Sequence, residues 1–137
     1  LFAATNYLKT STELTHFTNV DLMVLGGSLR RSHFSLHGYF TDSMISQIHA
    51  DKCFIGVDAV DFNIGFMNFS TDEIQTKRLM IQASNQVIVF CDHSKFDKIA
   101  FANICQISDV DIVITGSEIS EKNANAILEA GVQLIKV

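Results

Sequence analysis

The residues best placed for chemistry stand directly behind short apolar runs. Asp92-His93-Ser94-Lys95-Phe96 follows Val87-Ile88-Val89-Phe90-Cys91. A lysine in such a turn can neutralise a phosphate as a mobile point charge, with Ser94 and nearby backbone N–H groups adding donors. The alternative is a solvated surface lysine. Asp58 closes a second run, Phe54-Ile55-Gly56-Val57. There it either accepts hydrogen bonds from a ligand's hydroxyls or caps the loop behind it. Gly26-Gly27 ends the run Asp21-Leu22-Met23-Val24-Leu25, and either lets a ligand approach the backbone closely or marks a turn. Asn6 follows the strand-like Leu1-Phe2-Ala3-Ala4-Thr5 in the same manner.

Other spacings lead to no chemistry. Glu73 and Lys77 form an i to i+4 pair in the favourable orientation, worth about 0.2–0.5 kcal/mol on a helix surface, and a structural role accounts for it. His33 and His37 have a zinc-like helical spacing, but Phe34-Ser35-Leu36 between them reads as a strand and no third ligand is near. Asp58, Asp61 and Asn63 fail the register of a calcium loop, which needs a central Gly and a Glu at its twelfth position. There is no Gly-x-Ser-x-Gly elbow, Walker loop or Cys–His nucleophile motif. Neither a metal nor a cofactor is therefore expected. The three cysteines, Cys53, Cys91 and Cys105, lack metal-type spacing. Two lie in apolar stretches, where a thiol behaves as a small buried hydrophobe, and a reducing, cytoplasmic setting follows.

These residues need a scaffold, and 137 residues with 47% apolar content suit a single domain of ordinary size. The longest apolar run has five residues, too few to cross a bilayer. Fifteen acidic against ten basic residues give a net charge of -5, which makes the chain by itself a poor partner for nucleic acid. The chain opens on Leu1 in a strand-like segment with no signal-peptide pattern, and reads as a fragment lacking an N-terminal portion.

The apolar runs at 21–25, 54–57, 87–91, 112–114 and 132–137 are rich in β-branched residues, as in strands covered on each side. Between them a capping box, Ser70-Thr71-Asp72-Glu73, predicts a helix running to about Ser84, with Ile74, Met80, Ile81 and Ala83 apolar. Ser120 opens another, carrying Ala124, Ile127, Leu128 and Ala130, with Gly131 as its stop. A third is expected over 41–50, with Met44, Ile45 and Ile48 inward. The alternation predicts an α/β, Rossmann-like domain with a mostly parallel sheet and helices on both faces. In such folds ligands gather at the carboxyl ends of strands.

The ordered set of motifs resembles the C-terminal sensor domain of DeoR-family transcriptional repressors. It comprises Thr5-Asn6, Gly26-Gly27, Gly38, Asp51-Lys52-x-Phe54-Ile55-Gly56-x-Asp58, Gly65 and Glu73-x-x-x-Lys77-Arg78-x-Met80. It continues with Asp92-x-Ser94-Lys95-Phe96, Ile107-Ser108-Asp109-Val110-Asp111 and Ala130-Gly131-Val132. The resemblance implies a fold shared with ribose-5-phosphate isomerase and glucosamine-6-phosphate deaminase. It implies a domain that binds a phosphorylated sugar or related metabolite and alters operator binding by an N-terminal helix-turn-helix. It also implies a homo-oligomer, with operator DNA contacted only through that other domain. Asp58 would meet sugar hydroxyls, Lys77 would line the pocket, and Ser94 with Lys95 would match the isomerases' Asp-x-Ser-Lys turn and contact phosphate.

The chain departs from the family pattern at three places. Ala59 stands where Gly often follows the strand-end Asp. Gly116 replaces a common Asp. The Gly-Thr-rich phosphate loop lies upstream of Thr5-Asn6. The isomerases use a carboxylate as general base on the helix after the strand-end Asp. The matching position falls near Thr76 or Lys77, neither of which is a carboxylate. The resemblance thus implies a sensor and not an enzyme; the alternative is an isomerase- or deaminase-like activity.

Overall fold

A computed structural model describes residues 1–137. It divides into two compact units, residues 1–48 and 49–137. In the first, β1 (Phe2–Thr5) pairs in parallel with β2 (Asp21–Val24), Phe2 opposite Asp21 and Thr5 opposite Val24. Helix α1 (Leu8–Leu14) makes the crossover and buries none of its residues. It carries no apolar face that hydropathy periodicity would reveal. A hairpin, β3 (Ser28–Arg30) with β4 (Ser35–His37), follows.

Helix α2 spans Tyr39–Ile45, which corrects the expected 41–50. Its end tightens through Gln47 N–H to Met44 O and Ile48 N–H to Ile45 O, each 3.2 Å. Ala50 then donates its N–H to Ala83 O at 2.8 Å and begins a strand. Ile45 is buried, while Met44 and Ile48 are half-buried.

The second unit is built on a four-stranded parallel sheet in the order β11 (Gln133–Lys136), β10 (Ile112–Thr115), β8 (Ser84–Phe90) and β5 (Ala50–Gly56). The domain is α/β, as the apolar runs predicted: four of them became these strands because β-branched residues fit a pleated, buried surface. Cys53, Ile55, Val87, Val89 and Val113 pack into one core with Ile127 of α4 (Glu121–Glu129). Phe54 and Phe90, by contrast, stay exposed.

Asp111 ties the starts of β10 and β11 to the middle of β8. Its Oδ2 accepts from Val87 N–H at 2.7 Å, its own N–H donates to Val87 O, and its carbonyl accepts from Gln133 N–H.

A second, antiparallel sheet was not foreseen: β6 (Ala59–Asp61), β7 (Gly65–Asn68) and β9 (Ala102–Cys105). All four residues of β7 are buried, so no alternation of apolar and polar residues announces it.

Helix α3 spans Ile74–Gln82, so its N-cap is Glu73 and not the expected Ser70, and no side chain caps it there. Ser70 Oγ accepts instead from Asp72 N–H at 3.2 Å, while Glu73 is drawn into the interior, 3% exposed. There the Glu73 carboxylate faces the buried Lys77 ammonium. Helix α4 does begin as predicted: Ser120 Oγ accepts from Asn123 N–H, and Gly131 takes a positive φ of 79° at its end. Its inner face is Asn123, Ala124 and Ile127, whereas Leu128 and Ala130 are exposed. No helix is long and apolar enough to cross a membrane.

Candidate functional site

The parallel strands of the second unit all end on one rim, and a cleft of about 420 Å³ lies there. Its lining includes Gly56 from the end of β5, Phe90 at the end of β8 with Cys91 and Asp92 behind it, Lys95, Thr115 from the end of β10, and Val137. The site is mostly apolar, with one cation at its border. Lys95 ends a 3-10 turn, His93–Lys95, that Asp92 caps by accepting Ser94 N–H at 2.8 Å. Its Nζ stands 3.9 Å from Asp92 Oδ2 with its side chain 36% exposed. That is loose enough for an anionic ligand to compete, since exposed ion pairs contribute little. Hydrogen bonds from the Ser94 side chain and backbone hold the Asp92 carboxyl below the usual range, and the Lys95 charge adds to this. Burial pushes the Cys91 thiol up to about 12, reinforced by the Asp92 charge. Cys91 is therefore a wall of the cleft and not a nucleophile.

Thr115 carries a feature that sequence reasoning passed over. Its hydroxyl is buried without a hydrogen-bond partner, at the end of a strand on the cleft's border. The Thr115-Gly116 step behind the run 112–114 was its only sequence signal.

The other expected site residues are placed as follows. Ser94 is exposed and serves the turn through its bonds to Asp92. Asp58 is half-buried behind β5. Its N–H donates to Met67 O at 2.9 Å, and its Oδ2 accepts from Phe69 N–H at 3.0 Å. One carboxylate oxygen thus ties the loop to the end of β7.

Lys77 lies below the rim, its ammonium donating to Gly56 O at 2.7 Å. The Asn68 amide, oriented to satisfy both of its neighbours, accepts from Lys77 Nζ at 2.8 Å and donates to Met67 O at 3.1 Å. Glu73 Oε2 is 3.8 Å from the same ammonium, and the two side chains are only 9% and 3% exposed. The pair is interior and not on a helix surface. Removing one partner would strand a buried charge, which costs about 3–5 kcal/mol.

Asn6, Gly26 and Gly27 belong to the first unit. Asn6 is 3% exposed. Its Nδ2 donates to Leu36 O at 2.9 Å and its carbonyl accepts from Leu36 N–H, so it pins β4 beside the end of β1. Gly26 has open space where a Cβ would stand, and its carbonyl accepts from Thr41 Oγ1. At Gly27 a Cβ would collide with Thr41 Oγ1 and lie 2.7 Å from His37 O.

A second cavity, of about 370 Å³, is bordered by Arg78, Asn103 and Asp109. Arg78 donates there from Nε to Ile104 O and from Nη2 to Asn103 O, at 3.1 and 2.7 Å. Its guanidinium secures β9.

The fold is an α/β domain with an open cleft at the carboxyl rim of its parallel sheet, the place where such folds collect ligands. The family model described as "DeoR C terminal sensor domain" matches residues 1–117, and the chain belongs to this family. It is 31% identical over 131 residues to the glycerol-3-phosphate regulon repressor of Haemophilus influenzae, covering 96% of this chain and 51% of that protein. It is 29% identical to the HTH-type transcriptional regulator GolR of Listeria innocua, covering 96% and 52%. With the HTH-type transcriptional repressor GlcR of Bacillus subtilis it shares 28% identity, covering 96% and 50%. The chain spans about half the length of these relatives.

Proposed function

We propose that this chain is the effector-sensing part of a cytoplasmic, homo-oligomeric transcriptional regulator. It binds a phosphorylated sugar or polyol without turning it over, and operator DNA is gripped by a helix-turn-helix outside these 137 residues. The observation that carries the reading is Lys95: a partly exposed cation, loosely paired, on the carboxyl rim of a parallel sheet in a chain of the sensor family. Ser94 supports that turn, Asp58 offers its second carboxylate oxygen to hydroxyls, and Lys77 backs the rim. Asn6, Gly26 and Gly27, in the first unit, are assigned to effector binding through the family's motifs alone. The acidic balance of the chain and the regulator names of its relatives support the division of labour. A non-enzymatic role is supported by Thr76 and Lys77, where an isomerase places its carboxylate base.

A thermal-shift screen of the complete regulator against sugar and polyol phosphates tests this. A ligand at 100 times its Kd adds about 2.7 kcal/mol of stability. We expect one phosphate ester to stabilise the protein and to be recovered unchanged by mass spectrometry. Lys95→Ala should weaken that ester about tenfold or more, the scale of losing a charge-assisted hydrogen bond. Turnover of the ester would move the chain to the isomerase side, and an unaffected Lys95→Ala variant would remove the cleft from effector binding.

A further inference from the structure

We propose that Lys77 acts as a positioning residue: with Asn68 and Glu73 it clamps the carboxyl end of β5, and so sets the cleft wall instead of touching the effector. This rests on the reading of the cleft as the effector site.

The geometry points one way. Lys77 is 7% exposed and is not among the residues bordering the cleft, whereas Gly56, whose carbonyl it holds, is. The same ammonium reaches Asn68 at the end of β7. Two residues beyond Gly56, Asp58 bonds twice to the β7 end, through Met67 O and Phe69 N–H. The segment 56–58 is therefore held on both sides by polar contacts, with Lys77 as the only charged donor in that set. Glu73 supplies the counter-charge that makes an interior ammonium tenable. Fixing supporting groups beneath a binding site is what sharpens its geometry.

The test uses the complete regulator carrying Glu73→Gln together with Lys77→Met, which removes both interior charges at once, and Asn68→Ala as a gentler second variant. Amide hydrogen exchange is read without ligand. Affinities are then measured for glycerol 3-phosphate, fructose 6-phosphate and tagatose 6-phosphate, with inorganic phosphate as competitor. A loosened clamp raises exchange at the Asp58 and Phe69 amides about tenfold while β8 is unchanged, since local opening is separable from global unfolding. The ester that binds weakens by a similar factor, and inorganic phosphate competes as before. Unchanged protection at Asp58 and Phe69 in both variants would overturn the clamp, as would a loss confined to phosphate competition, which means direct contact. Lys95→Ala separates the two readings: if it leaves ester affinity intact, or if no ester binds, the effector reading fails first.

Discussion

Lys95 and Lys77 show how much the surroundings of one residue type decide. Both stand near the ends of strands, yet one keeps a 36% exposed side chain and the other is sealed beneath the rim. The first can meet a dianion at little desolvation cost; the second has already spent its donors on Gly56 and Asn68. Asp92 completes the exposed turn and titrates in a defined sense. Its folded carboxyl lies below the ordinary value because Ser94 donates to it. Its stabilising share is thus full above the unfolded value and is lost as pH falls through the folded one. In Ser94→Ala the leading cause is gone, so the Asp92 carboxyl should titrate closer to an ordinary aspartate. Carbon-detected NMR titration of the two proteins checks this, and an unmoved midpoint would show that the Ser94 hydroxyl is not the cause.

At the level of elements, the two adjacent glycines separate cleanly. A methyl group at Gly27 meets Thr41 Oγ1 and the His37 carbonyl, whereas one at Gly26 meets nothing within 4 Å. Gly27→Ala should therefore destabilise by about 1–3 kcal/mol, as overpacking does, while Gly26→Ala stays within about 0.5 kcal/mol. Parallel chemical denaturation of both variants measures the difference, and equal effects would refute the packing argument. Strands β5, β8, β10 and β11 were legible because short apolar runs holding Ile and Val have few other uses. The start of α4 was legible because Ser120 bonds within its own turn. Ser70 presented the same local pattern, but Glu73 faces Lys77 in the interior, so local reading placed a cap where there is none. The β6-β7-β9 sheet was hidden for a related reason: β9 joins the β6-β7 hairpin from far along the chain, with Phe66 opposite Cys105. Of the site, Lys95 was readable from its place behind a run. The burial of Lys77 was not, because i to i+4 spacing says which residues share a helix face and not what that face meets.

For the whole molecule, the exposed rings are informative. Phe101 is 81% exposed, and Phe69, Phe54 and Phe90 are each at least half exposed. Such rings are candidates for burial in the contacts of the proposed oligomer. The complete regulator should accordingly sediment as a dimer or larger at micromolar concentration. A monomer throughout that range would withdraw the oligomer from the proposed function.

Asp111 lies away from the carboxyl rim, drawing the starts of β10 and β11 to the middle of β8. Its location divides the labour of inheritance. On the proposed function, substitutions along the open rim change which metabolite is bound while the contacts of Asp111 keep the strands in register. A lineage can then change what its regulator listens for without first relearning how to fold.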